Sequence, residues 1–102
     1  MAAQYDKAFE NVIRLRVMSI LMVNETYDFN SFKQVMEVTD GNLATHLRKL
    51  EEKGFIRVSK SFIGRKPQTT YQASKEGRNA FTEHLAFLEQ LIKDNKTTSS
   101  KL

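Results

Sequence analysis

Leu43, Leu47 and Leu50 recur at helical spacing inside a segment that opens on Thr39 and stops at Gly54. Thr39 is a good N-cap, and Asp40 behind it falls in the first turn, where the helix dipole favours negative charge. Gly54 suits the left-handed position just past a helix end. Phe55 can then fold back on Leu50, the contact that accompanies a Schellman cap. Immediately before Thr39 lies a second, shorter helical pattern, with Asn30 as cap and Phe32, Val35 and Met36 at i, i+3 and i+4. Two short helices with almost nothing between them form a helix-turn-helix, although an ordinary helical hairpin has the same spacing.

The flanks narrow the choice. Phe9, Val12, Ile13, Val17, Ile20 and Leu21 predict a helix over 9–23, and Leu15, Met18 and Met22 widen its apolar surface beyond one stripe. Glu25 to Asp28 reads as a polar break. After Gly54 the runs Phe55 to Phe62 and Thr69 to Ala73 are rich in β-formers, and Ile63 to Gln68 between them holds the only Pro, Pro67. This predicts a β-hairpin with a basic tip. Ser74 then caps a last helix to about Lys93, with Phe81, Leu85, Leu88 and Ile92 on one line and Phe87 and Leu91 beside it. With 102 residues, 40% of them hydrophobic, the chain can bury one core. We expect one domain over 1–94 and a disordered polar tail over 95–102. No apolar run reaches the length of a membrane span or signal peptide, and there is no cysteine for a disulfide. The expectation is a cytoplasmic protein with no membrane partner.

Charge is unevenly placed. Seven basic residues (Arg48, Lys49, Lys53, Arg57, Lys60, Arg65, Lys66) and two acidic ones (Glu51, Glu52) lie between positions 48 and 66, a local net charge of +5. The chain as a whole carries +4, so all of the positive excess sits in that stretch. Such asymmetry fits a polyanion-binding surface, and equally a solvated charged face.

The order helix, helix, helix, hairpin, helix is that of a winged helix-turn-helix, an α+β class that is mainly helical. Several local motifs follow in that order: Arg14-Leu15-Arg16-Val17-Met18, Asp28-Phe29-Asn30, Thr39-Asp40-Gly41-Asn42-Leu43, and His46-Leu47-Arg48-Lys49-Leu50-Glu51-Glu52-Lys53-Gly54. Gly64-Arg65-Lys66-Pro67, Thr69-Thr70-Tyr71 and Glu76-Gly77-Arg78 continue the series. Through them, residues 12–92 resemble the short, one-domain MarR-like winged-helix regulators of bacteria and archaea. One departure is Ala73, where a larger aliphatic is more usual. The resemblance implies a transcriptional regulator that binds double-stranded DNA as a homodimer.

Helix geometry nominates the contacts. With Leu43, Leu47 and Leu50 inward, a 100° step turns Gly41, Thr45 and Arg48 outward, with Asn42, Ala44 and Lys49 beside them. In a major groove, Arg pairs with guanine, Asn with adenine, and a small apolar group meets the thymine methyl. His46, at the side of that helix, is a candidate phosphate or base contact. Gly64 and Pro67 frame Arg65 and Lys66, which with Lys60 make the hairpin's candidate DNA contacts on the flanking backbone or in the minor groove. Phe9 and Val12 on the first helix and Leu85, Leu88, Leu91 and Ile92 on the last are the expected dimer interface.

Other classes find little support. His84 lacks neighbours spaced for a metal, and no catalytic residue, metal or cofactor is expected: the chain has no Gly-rich phosphate loop, HExxH, or nucleophile with an adjacent base. Whether a small-molecule effector acts is left open. The alternative reading is a winged-helix protein-interaction module that never binds DNA. Such a module has no need of positive charge on the third helix and the hairpin together.

Overall fold

The computed structural model describes residues 4–100, with side chains described for 4–95. It has four helices, α1 (Val12–Val23), α2 (Phe29–Val35), α3 (Asp40–Glu52) and α4 (Lys75–Ser100). The strands β1 (Tyr27–Asp28), β2 (Ile56–Ile63) and β3 (Lys66–Ala73) form an antiparallel sheet in the order β1-β3-β2. This is the mainly helical α+β arrangement expected.

The first helix begins later than its apolar spacing suggested. Lys7–Glu10 is a single 3-10 turn capped by Asp6, whose Oδ1 accepts from the Ala8 amide at 2.8 Å. Asn11 interrupts it and caps α1, its Oδ1 accepting from the amides of Ile13 (2.9 Å) and Arg14 (3.2 Å). Phe9 therefore sits on a separate turn and is only 3% exposed. Its ring lies against Phe55 and meets Phe81 edge-on, with centroids 5.7 and 5.3 Å away. That corrects its assignment to a dimer interface: Phe9 is spent on its own core.

The polar break is also more ordered than expected. Tyr27 and Asp28 pair with Tyr71 and Thr70, adding a third strand too short for alternation to reveal. Asp28, rather than Asn30, caps α2: the Ser31 amide donates to its Oδ2 at 3.1 Å and the Ser31 hydroxyl to its Oδ1. Those bonds, the hydroxyl's foremost, hold the Asp28 carboxyl below the usual carboxylate range despite partial burial. Between α2 and α3, Lys33 donates to the Val38 carbonyl and pairs with Asp40 at 2.8 Å, closing the turn.

α3 follows the expectation from end to end. Thr39 Oγ1 accepts from the Asn42 amide at 3.1 Å. At the other end the Phe55 amide donates to the Leu50 carbonyl (3.0 Å) and the Gly54 amide to the Glu51 carbonyl (2.9 Å), while Gly54 has φ +77°. These are the two bonds of a Schellman cap. Leu43, Leu47 and Leu50 are buried with Val17, Met18, Leu21, Phe32 and Met36. Each buried leucine stabilises the fold by about 1.5–3 kcal/mol.

The hairpin is longer and its turn tighter than the sequence suggested. Pairing runs from Ile56↔Ala73 out to Ile63↔Lys66, leaving only Gly64 and Arg65 as the turn. Gly64 has φ +63°, and Arg65 does not share the positive φ, which is the pattern of a type II′ turn. Pro67, expected in the loop, stands in β3 opposite Phe62. It is tolerated because β1 reaches only to Thr70, so beyond that point β3 has no second neighbour to receive an N–H.

Ser74 caps α4 as expected. Its Oγ accepts from the Gly77 amide at 3.0 Å and donates to the Gly54 carbonyl. Gly77 lies so close to Phe55 that an added Cβ would stand 2.0 Å from the Phe55 carbonyl oxygen. At the next residue, Arg78 donates to the Leu21 and Met22 carbonyls at 3.2 and 3.4 Å, satisfying the end of α1. α4 continues past Lys93, the end expected for it, to Ser100 and projects from a body 28 × 21 Å in section, giving a long axis of 64 Å. The expected disordered tail over 95–102 falls, from 96 on, outside the residues whose side chains are described.

Candidate nucleic-acid interface

α3 is exposed on the side away from its leucines. Gly41, Asn42, Thr45, Arg48 and Lys49 are exposed and Ala44 half-buried, as the 100° projection required. The caps at Thr39 and Gly54 fix where this surface begins and ends, and the leucines fix its rotation.

On one flank stands the hairpin. A cleft of about 250 Å³ is lined by Ala44, Leu47, Arg48 and Glu51 of α3 and by Val58, Lys60, Thr69 and Tyr71 of the hairpin, so one carboxylate, Glu51, stands among its cations. Arg65 and Lys66 lie further out, both exposed. The strands from Ile56 to Ala73 contain Arg57, Lys60, Arg65 and Lys66 and no acidic residue. Burial, more than the nearby Glu51 charge, raises the Tyr71 phenol above its usual pKa, so it stays neutral.

On the other flank a cleft of about 330 Å³ is lined by Lys7, Arg14, Lys49, Lys53 and Glu52. Lys53 belongs to the basic stretch read from the sequence, whereas Lys7 and Arg14 lie outside it, and the 3-10 turn that brings Lys7 here leaves no periodic signal. Lys53 is held at 3.2 Å by Asp6, so part of this charge is compensated. Arg14 is held more firmly: its Nε donates to the Ala8 carbonyl at 2.7 Å and its Nη1 lies 2.9 Å from His46 Nδ1. Against an always-charged guanidinium, that Nδ1 must be the acceptor, which leaves Nε2–H as the group His46 can offer a phosphate. Burial first, then the Arg14 and Lys49 charges, lower the His46 pKa and keep the ring neutral.

His84 is a packing residue. It is 3% exposed, accepts from the Asp6 amide at 3.2 Å, and contacts the rings of Tyr5 and Phe9. Among the described residues no group of three or more His, Cys, Asp or Glu is placed to hold a metal ion, and no helix is long and apolar enough to cross a membrane. The remaining interface candidates are open to a second chain: Val12, Leu85, Leu88, Leu91 and Ile92 are all exposed, from 36% for Leu88 to 68% for Ile92. Phe81, at the root of the same stripe, is core.

Known proteins share this arrangement. Residues 13–92 match the winged helix DNA-binding domain family. An uncharacterized protein of Methanocaldococcus jannaschii is 38% identical over 88 residues, covering 86% of this chain and 96% of its own. A transcriptional regulator homologue from Pyrococcus horikoshii superposes with a TM-score of 0.78 at 28% identity, over 85% of this chain and 86% of that one. A MarR-family transcriptional regulator from Enterococcus faecalis shares the fold at 20% identity, with a TM-score of 0.71 over 99% of this chain and 98% of that one. The chain belongs to the winged helix DNA-binding domain family, with a fold shared by a MarR-family regulator.

Proposed function

We propose that the protein is a sequence-specific regulator of transcription that binds double-stranded DNA as a homodimer. α3 enters the major groove, where Asn42, Thr45 and Arg48 meet base edges, Ala44 packs on a thymine methyl, and Lys49 and His46 approach phosphate. The hairpin lies on the flanking backbone or minor groove through Lys60, Arg65 and Lys66. One observation carries this reading: the outward face of α3 shares a cleft with a hairpin that bears four cations and no carboxylate. A helix seated in a major groove has a phosphodiester strand on either side. The wing cations suit one of these strands, and Lys7, Lys49 and Lys53 on the opposite flank suit the other. The exposed Leu85, Leu88, Leu91 and Ile92 of the projecting α4, with Val12 of α1, supply the apolar face of a two-fold dimer.

A salt titration on a 30-base-pair duplex tests the polyanion half of this proposal. Wild type should lose affinity steeply as salt rises. The Arg65→Ala/Lys66→Ala double variant should give a flatter slope of log affinity against log salt, by roughly 0.9 per lost phosphate contact and for about four contacts per dimer. An unchanged slope would show that the wing does not touch the backbone.

A further inference from the structure

Among the described residues, Phe62 is 72% exposed and has no ring or cation contact. We infer that Phe62 is an apolar wedge that enters the minor groove beside the site read by α3, pressing against or between the bases of a flanking step. The inference rests on the DNA-binding reading above and adds a residue that the cationic wing alone does not require.

The register gives its direction. Paired residues of antiparallel strands share a face, so Ile56↔Ala73, Val58↔Tyr71, Lys60↔Thr69 and Phe62↔Pro67 form one continuous strip. The inner end of that strip is buried core, and its middle, Lys60 and Thr69, lines the cleft shared with Arg48 and Ala44. Phe62 and Pro67 are its outer end, about 7 Å beyond Lys60 at the rise of a β-strand. The strip thus leaves the core, crosses the flank where a phosphate strand would lie beside α3, and ends in an aromatic ring and a proline. Arg65 stands at the adjoining turn, where a guanidinium can pair with the flanking phosphates.

Size and charge choose the occupant. One phenylalanine offers about 150–250 Å², far below the roughly 800 Å² per partner of a stable protein interface. The same ring is the right size for a base step, and aromatic or aliphatic wedges that partly unstack such steps are a known mode of minor-groove binding. Near it the hairpin presents Lys60, Arg65 and Lys66, and no acidic residue lies between Ile56 and Ala73, which favours a polyanion over a protein surface. Pyrimidine–purine steps unstack most easily, so the wedge should confer a preference for TpA or CpA flanks over stiff A-tracts.

The test uses duplexes recovered by wild type from a random library, rebuilt with either a TpA step or an A-tract in the flank and with 2-aminopurine at that step. Wild type should prefer the TpA flank and raise the 2-aminopurine fluorescence as the step unstacks. Phe62→Ala should abolish that rise and lower affinity for the TpA duplex about tenfold, with an unchanged salt slope. Phe62→Leu, still an apolar wedge, should restore most of both. Equal fluorescence and flank preference in wild type and Phe62→Ala would overturn the inference while leaving DNA binding intact. Recovery of no duplex by wild type would overturn both. Phe62→Ala weakening retention on phosphatidylserine vesicles while DNA binding is unchanged would overturn the inference alone, since Phe62 would then serve a lipid surface.

Discussion

Two residues carry local constraints that single substitutions can expose. At Gly77 a methyl group would collide with the Phe55 carbonyl, and backbone on both sides would have to move. Gly77→Ala should cost about 1–3 kcal/mol in denaturant unfolding, although alanine is the better helix former, and a neutral result would show that α4 can shift away from Phe55. At His46 the linkage to pH has a definite sign. Its folded pKa lies below the ordinary value, so as pH falls through the ordinary imidazole range the unfolded chain takes up a proton that the folded chain refuses. Stability should therefore fall with acid until the folded pKa is passed. Asp28, whose carboxyl is depressed, contributes stability that is lost only at lower pH still. His46→Gln keeps an acceptor for Arg14 but does not titrate. Between about pH 7.5 and 5 its unfolding midpoint should fall less than that of wild type. Equal losses would remove the Arg14–His46 bond from the pH response. Neither constraint is legible in the sequence: Gly77 enters only within the motif Glu76-Gly77-Arg78, which does not show what it meets, and Arg14 is 32 residues from His46.

At the level of elements, sequence legibility followed the range of the forces involved. α3 was predicted by its caps and leucines because every determinant lies within the helix or one residue beyond it. β1 was missed because two residues owe their strand conformation entirely to Tyr71 and Thr70, more than 40 positions away. The capping role of Asp28 was given to Asn30 for the same reason, since pairing of β1 is what sets the start of α2. The outward face of α3 is legible in the sequence, while Lys7 on its flank is not, because only the folded 3-10 turn brings Lys7 beside Lys49. For α3 itself, Arg48→Ala should reduce affinity for the preferred site by about 1–3 kcal/mol and relax preference at one position per half-site. Uniform weakening across all sequences would make Arg48 a phosphate contact instead.

For the whole molecule, the projecting α4 is the decisive feature. Its inner turn is core through Phe81 and His84, whereas Leu85, Leu88, Leu91 and Ile92 beyond them remain 36–68% exposed. Leu88→Asp should give a folded monomer in sedimentation at micromolar concentration, with DNA binding weakened because two reading heads no longer act together. A dimeric Leu88→Asp protein would move the interface elsewhere. In the proposed dimer, two such chains place their α3 helices in successive major grooves of one DNA face. Selection of bound duplexes from a random library by the wild-type protein tests it most directly. The expected result is enrichment of an inverted repeat whose half-site centres lie about 10–10.5 base pairs, or roughly 34–36 Å, apart. Recovery of a single unrepeated half-site, or no enrichment at all, would contradict it.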